Sequence, residues 1–151
     1  MTEFDDDIVI DLDEEVADLP AGLYACEVKN VEYKNSKKEI PFIVVSLEID
    51  EGPYTGLTLQ DWISQDKNQS MNLLKLNLKR RNGFIKACLN GEEPEGTLRP
   101  VRNDKGVLVF EELVGCRVGA YLVTRGDNIN VDRGGYVEVS MVDNDDEEPF
   151  S

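Results

Sequence analysis

Aromatic residues and bases alternate along this chain in a pattern that suits a flexible polyanion. Trp62 shares strand parity with Thr58 and Gln60 and opposes Leu59 and Ile63, so its ring is expected to face away from the apolar side. Phe42 opposes the aliphatic set Ile43, Val45, Leu47 and Ile49. Tyr33 ends a run beside Lys34, Lys37 and Lys38, while Tyr121 and Tyr136 flank a stretch bracketed by Arg125 and Arg133. Lys75 and Lys79 lie on a leucine-rich segment between these groups. Flat rings give unpaired bases a stacking surface worth about 1–3 kcal/mol each, and cations track phosphates. The expected nucleic-acid contacts are therefore Tyr33, Lys34, Lys37, Lys38, Phe42, Trp62, Lys75, Lys79, Tyr121, Arg125, Arg133 and Tyr136.

Other chemistries lack their residues. The chain has no histidine, which removes histidine-based triads and the commonest zinc ligand. Cys26, Cys88 and Cys116 are far apart and odd in number, which reads as buried thiols in a reducing cytoplasm. No phosphate-cradling glycine loop and no nucleophile elbow occurs. The run Asn128–Asp132 lacks the glycine and glutamate of a calcium loop. The expectation is a protein without enzymatic activity, metal or cofactor.

The elements that must position the rings follow from periodicity. Leu23–Tyr33, Pro41–Asp50 and Tyr54–Ile63 read as three strands. Met71–Leu89 reads as helical, with Ser70 as N-cap, Gly83 as a weak point and Asn90-Gly91 as the end. Thr97–Val101 and Gly106–Phe110 read as a small hairpin, Gly115–Thr124 as a fourth major strand, 125–135 as a polar loop and Tyr136–Val142 as a fifth strand. Tyr24, Phe84 and Phe110 are expected in the core. Five strands with a helix between the third and fourth is the order of the OB-fold, an all-β five-stranded Greek-key barrel, in which the first and last loops flank a floor formed by strands two and three.

Charge divides the 151 residues differently. The formal charge is −15, yet residues 1–19 hold nine acids and no base, and residues 143–151 hold five acids and no base. That leaves 17 acids and 16 bases over residues 20–142. The expected organisation is an acidic N-terminal arm (1–19), an OB-fold domain (20–142) and an acidic C-terminal tail (143–151). Binding depends on local charge, so a near-neutral body can still present a basic groove. The tail ends Asp145-Asp146-Glu147-Glu148-Pro149-Phe150-Ser151. An aromatic tip behind acids suits docking into a basic-rimmed apolar pocket, and the same polyanion can compete with DNA for the body's own groove. No stretch is apolar enough for a membrane span and the acidic start lacks a signal peptide's basic end, which predicts a cytoplasmic protein.

The tail DDEEPF resembles the acidic tip of bacterial and phage single-stranded DNA-binding proteins. Glu148 stands where those tips carry an apolar residue, and Ser151 follows Phe150. The segments LPAGLYACEVKNVEYKNSKK, PFIVVSLEID and GPYTGLTLQDWI, with the leucine-rich helix, are similar to a bacteriophage family catalogued as a domain of unknown function. Its members look like OB-fold single-stranded DNA-binding proteins from replication or recombination modules. The resemblance implies sequence-tolerant single-strand binding and protection, with replication or recombination proteins recruited through the tail. A competing reading makes the chain an acidic interaction module or DNA mimic that inhibits a host nucleic-acid enzyme. A third makes it a Mg²⁺-dependent nuclease. The sequence leaves oligomeric state open, and a homodimer sharing an edge strand is compatible with the pattern.

Overall fold

The computed structural model describes residues 19–93 and 95–142. The arm through Asp18 and the tail from Asp143, including Asp145, Asp146, Glu147, Glu148, Pro149 and Phe150, lie outside the described residues.

The described chain is mostly antiparallel β-sheet with one long helix. The strands are β1 (Gly22–Asn35), β2 (Pro41–Ile49), β3 (Thr58–Ser64), β4 (Val101–Arg102), β5 (Leu108–Val109), β6 (Arg117–Arg125) and β7 (Asn128–Glu138). Helix α1 (Met71–Cys88) falls between β3 and β4. In the sheet, β1 pairs with β2 from Cys26 to Asn35, with β6 through Gly22–Glu27, and with β5 at Glu32 and Tyr33. β2 pairs with β3, β4 with β5, and β6 with β7.

One irregularity in β1 sets which side chains reach the surface. The register of β1 on β2 shifts between Val28 and Asn30. Strict alternation would send Val28 and Val31 to opposite faces; the bulge at Lys29 turns both into the core. It also fixes Tyr33 inward and Lys34 outward, opposite Phe42. Val28, Val31, Val45, Leu47, Ile49, Ile63, Val118, Leu122 and Phe84 then form the buried centre. Burying a side chain of this size contributes about 1.5–3 kcal/mol.

The helix begins where its sequence predicts. The Ser70 side chain accepts from the Leu73 backbone N–H, satisfying one free donor of the first turn. Gly83 does not split it, and it ends at Leu89, just before Asn90-Gly91. Its buried face is confined to Phe84, Ala87 and Cys88, while Met71, Leu73 and Leu76 are exposed. Phe84 is a core residue as expected; Tyr24 and Phe110 pack against the core from its edge. Cys26 and Cys88 are buried and Cys116 partly so, all three as free thiols. Burial, reinforced by Asp50, pushes the Cys26 thiol up to about 12.

Three expectations are corrected. First, residues 125–135 are not a loop. β6 turns directly into β7 through Gly126-Asp127, with Gly126 at φ 62°, the left-handed conformation that the first position of a tight hairpin requires. Ile129 and Val131 then pair with Thr124 and Leu122, while Asp132–Gly135 bulge out opposite Tyr121. Second, the fifth strand ends at Glu138, and Val139–Met141 form a single 3-10 turn. Third, the sheet has seven strands and does not close into a barrel: among the described residues no ladder joins β3 to β7. These two edges nevertheless pack together. No described helix is long and apolar enough to cross a membrane.

Candidate nucleic-acid interface

The gap between β3 and β7 is spanned by a buried polar cluster. Inner-face positions of β3 read Leu59, Asp61, Ile63, which places a carboxylate in the core at 8% exposure. A buried carboxylate needs donors on both oxygens. Tyr136 Oη–H donates to Asp61 Oδ2 at 2.7 Å, and Arg80 Nη1 lies 3.3 Å from Oδ1. The same guanidinium donates to the carbonyl oxygens of Val131 at 3.2 Å and Asp132 at 3.1 Å. Arg80 therefore ties the β3 side chain to the β7 main chain where ladder bonds are missing. Burial raises the Asp61 carboxyl above its ordinary range, against the lowering effect of Tyr136 and Arg80. Burial also holds the Tyr136 hydroxyl well above its ordinary value, reinforced by the Asp61 charge.

On the outer face, one residue along, Trp62 is 44% exposed. Three neighbours orient its ring. Phe42 meets it edge-on at 5.3 Å, Lys34 Nζ sits 4.9 Å over it, and Trp62 Nε1–H donates to Gln60 Oε1 at 3.2 Å. A ring fixed in this way loses little freedom when a ligand stacks on it.

Trp62 joins two concave surfaces. The larger, about 660 Å³, runs between α1 and the β7 bulge and is lined by Trp62, Leu73, Leu76, Lys79, Arg80 and Arg133, among others. Among the described residues no carboxylate lines it. The second, beyond Trp62, holds Gln60, Arg125 and Asn130 together with Asp61 and Arg80. A third continues from Gln60 and Asn130 to Lys29, Ser46, Thr58 and Asn128. Shared walls make these one track along the β3–β7 gap.

Sequence-predicted residues divide accordingly. Lys34, Phe42, Trp62, Lys79, Arg125 and Arg133 meet on or beside this track. Arg125 also pairs with Asp132 at 3.1 Å. Tyr136 is corrected from a stacking ring to a nearly buried one: it is 8% exposed, packs edge-on against Phe84 at 5.0 Å, and reaches the larger concavity only as part of its wall. Tyr33 is corrected to the opposite face. The β1 bulge points it inward, where it lines a separate cleft with Ile85, Leu98, Phe110, Arg81 and Glu95. Tyr121 is exposed but lies over the bulge, its ring 2.5 Å from where a Cβ on Gly134 would stand, so only glycine fits there. Lys37 and Lys38 are exposed in the turn after β1, and Lys75 is exposed one helical turn before Lys79; none of the three lines the track.

Position-by-position reading missed Leu73, Leu76, Gln60, Asn130 and the Asp61–Arg80–Tyr136 cluster. The cluster had a signal. Asp61 falls on the apolar parity of β3, and a carboxylate there demands a cation and a hydroxyl from elsewhere.

Comparison with protein families matches residues 7–113 to DUF669, described as a protein of unknown function. The chain belongs to the DUF669 family. No curated protein matches it. The DUF669 match takes in β1 to β5 and α1, hence Trp62, Phe42, Lys34 and Lys79. The β6–β7 hairpin that brings Arg125 and Arg133 lies beyond the matched region.

Proposed function

We propose that this DUF669 chain binds single-stranded DNA without strong sequence preference, using the track along the β3–β7 gap, and that it catalyses no reaction. The observation that carries the reading is the groove at Trp62: an oriented, exposed indole beside Lys79, Arg80 and Arg133, with no carboxylate in its described lining. Bases stack on Trp62 and Phe42. Lys34, Lys79, Arg125 and Arg133 contact phosphates, and the amides of Gln60 and Asn130 offer adaptable hydrogen bonds. A floor of β2 and β3 under a single strand is how OB-folds bind, and the strand order supports a partly open OB-type barrel. In that reading β1, β2, β3, β6 and β7 are its five strands, α1 sits between the third and fourth, and Arg80 substitutes for the final ladder. Its setting is phage replication or recombination, with partner proteins docking on the C-terminal tail.

The test is fluorescence anisotropy of a labelled oligo-dT against the same length of duplex, repeated with Mg²⁺. The reading predicts salt-sensitive binding of the single strand, weaker binding of duplex, and DNA recovered at full length. Absence of oligo-dT binding at low salt overturns it; shortened DNA replaces it with a nuclease.

A further inference from the structure

We infer that the chain's own N-terminal arm, through the stretch Phe4–Asp13, seats in the Trp62 groove and competes there with nucleic acid; the second clause rests on the function proposed above, the first does not. The groove is an unusual surface to leave uncovered. Leu73 and Leu76 are 52% and 62% exposed on α1, facing the same concavity as Trp62 and the cations Lys79 and Arg133. Its occupant must offer apolar side chains and negative charge together. Phe4-Asp5-Asp6-Asp7-Ile8-Val9-Ile10-Asp11-Leu12-Asp13 interleaves five acids with five apolar residues and contains no base.

Attachment lets this segment reach the groove. Leu19 is buried in the core, and its carbonyl accepts from the Thr124 hydroxyl at 3.2 Å. Thr124 adjoins Arg125, which lines the same track as Trp62. The arm therefore leaves the body one residue from Arg125, while the tail leaves it after Met141, which shares a cleft with Gly83 and Tyr136 of the Trp62 groove wall. Extended chain from Leu19 back to Phe4 covers about 50 Å, against a radius of gyration of about 14 Å for a body this size. The C-terminal tail is the rival polyanion, but its apolar content is Phe150 alone. The family match begins at Asp7 and ends before the tail.

The experiment compares the full chain with a full-length variant carrying Asp5, Asp6, Asp7, Asp11 and Asp13→Asn, reading Trp62 emission without nucleic acid. Trp62 is the one tryptophan. The natural chain should shift its emission as NaCl rises to about 0.5 M, a range over which charge attraction is screened. The variant should show the high-salt spectrum from the start, and should bind oligo-dT about tenfold more tightly at low salt. Identical spectra and salt responses in the two chains overturn the inference. So does a shift that appears only when the tail acids Asp143, Asp145, Asp146, Glu147 and Glu148 are neutralised instead. Because the emission readout needs no DNA, failure to bind oligo-dT would remove the proposed function and leave the docking result standing.

Discussion

The inner face of β3 buries Asp61 at 8% exposure, while the outer face, one residue on, leaves Trp62 at 44%. By polarity alone the two should be exchanged. The inner carboxylate is accounted for by Tyr136 and Arg80, which also fasten β3 to β7. The outer indole is held by Phe42, Lys34 and Gln60 but keeps much of its surface open. An inverted polar residue that is fully partnered holds structure together. An inverted apolar residue that stays open beside cations is where a ligand fits. The pair thus separates architecture from binding within two positions of one strand.

Substitutions on the two faces should differ in their main effect, on stability for the Asp61 side and on binding for the Trp62 side, with Arg80 lining the groove as well as holding Asp61. Arg80→Ala leaves Asp61 short of a donor and frees two β7 carbonyls, and breaking a buried pair costs about 3–5 kcal/mol; urea denaturation should show most of that loss. Trp62→Ala should leave stability within about 1 kcal/mol, since the ring is exposed, yet weaken oligo-dT binding roughly 5- to 150-fold, the equivalent of about 1–3 kcal/mol of stacking. A Trp62→Ala chain that binds as well as the natural one would dissolve the contrast. Lys79→Ala with Arg133→Ala should flatten the plot of log affinity against log salt by about 1.4, two contacts at roughly 0.7 each for single strands.

The smallest effect is in pH. In the unfolded chain Asp61 titrates near 3.8, and in the folded protein at a higher value because burial outweighs its partners. Between those values the folded state holds the extra proton. This group's contribution to stability therefore falls as pH rises through the folded value and grows as pH drops toward 3.8. Thermal melts of the natural chain and Asp61→Asn across that window should show the natural chain gaining relative stability on acidification.

Much of this was written in alternation along the strands. The parity of Phe42 and Trp62, the N-cap at Ser70 and the stop at Asn90-Gly91 are local features, and local patterns predict them. Tyr33 was misplaced because a bulge at Lys29 reverses parity, and a bulge is recognised from its partner strand's register. The β6–β7 hairpin read as a loop because Asp132–Gly135 interrupt its alternation with polar residues and glycines. Tyr136 read as a surface ring because its partner Asp61 is 75 residues away. Nothing local marks Leu73 and Leu76 within a leucine-rich helix, and only the packing of α1 shows that they stay exposed and line the groove.

The most direct measurement is Trp62 fluorescence during titration with oligo-dT. Stacking on the single tryptophan predicts saturable quenching at low salt, reversed as NaCl is added. Emission that stays constant while anisotropy reports bound DNA would place the strand elsewhere on the molecule and contradict the account.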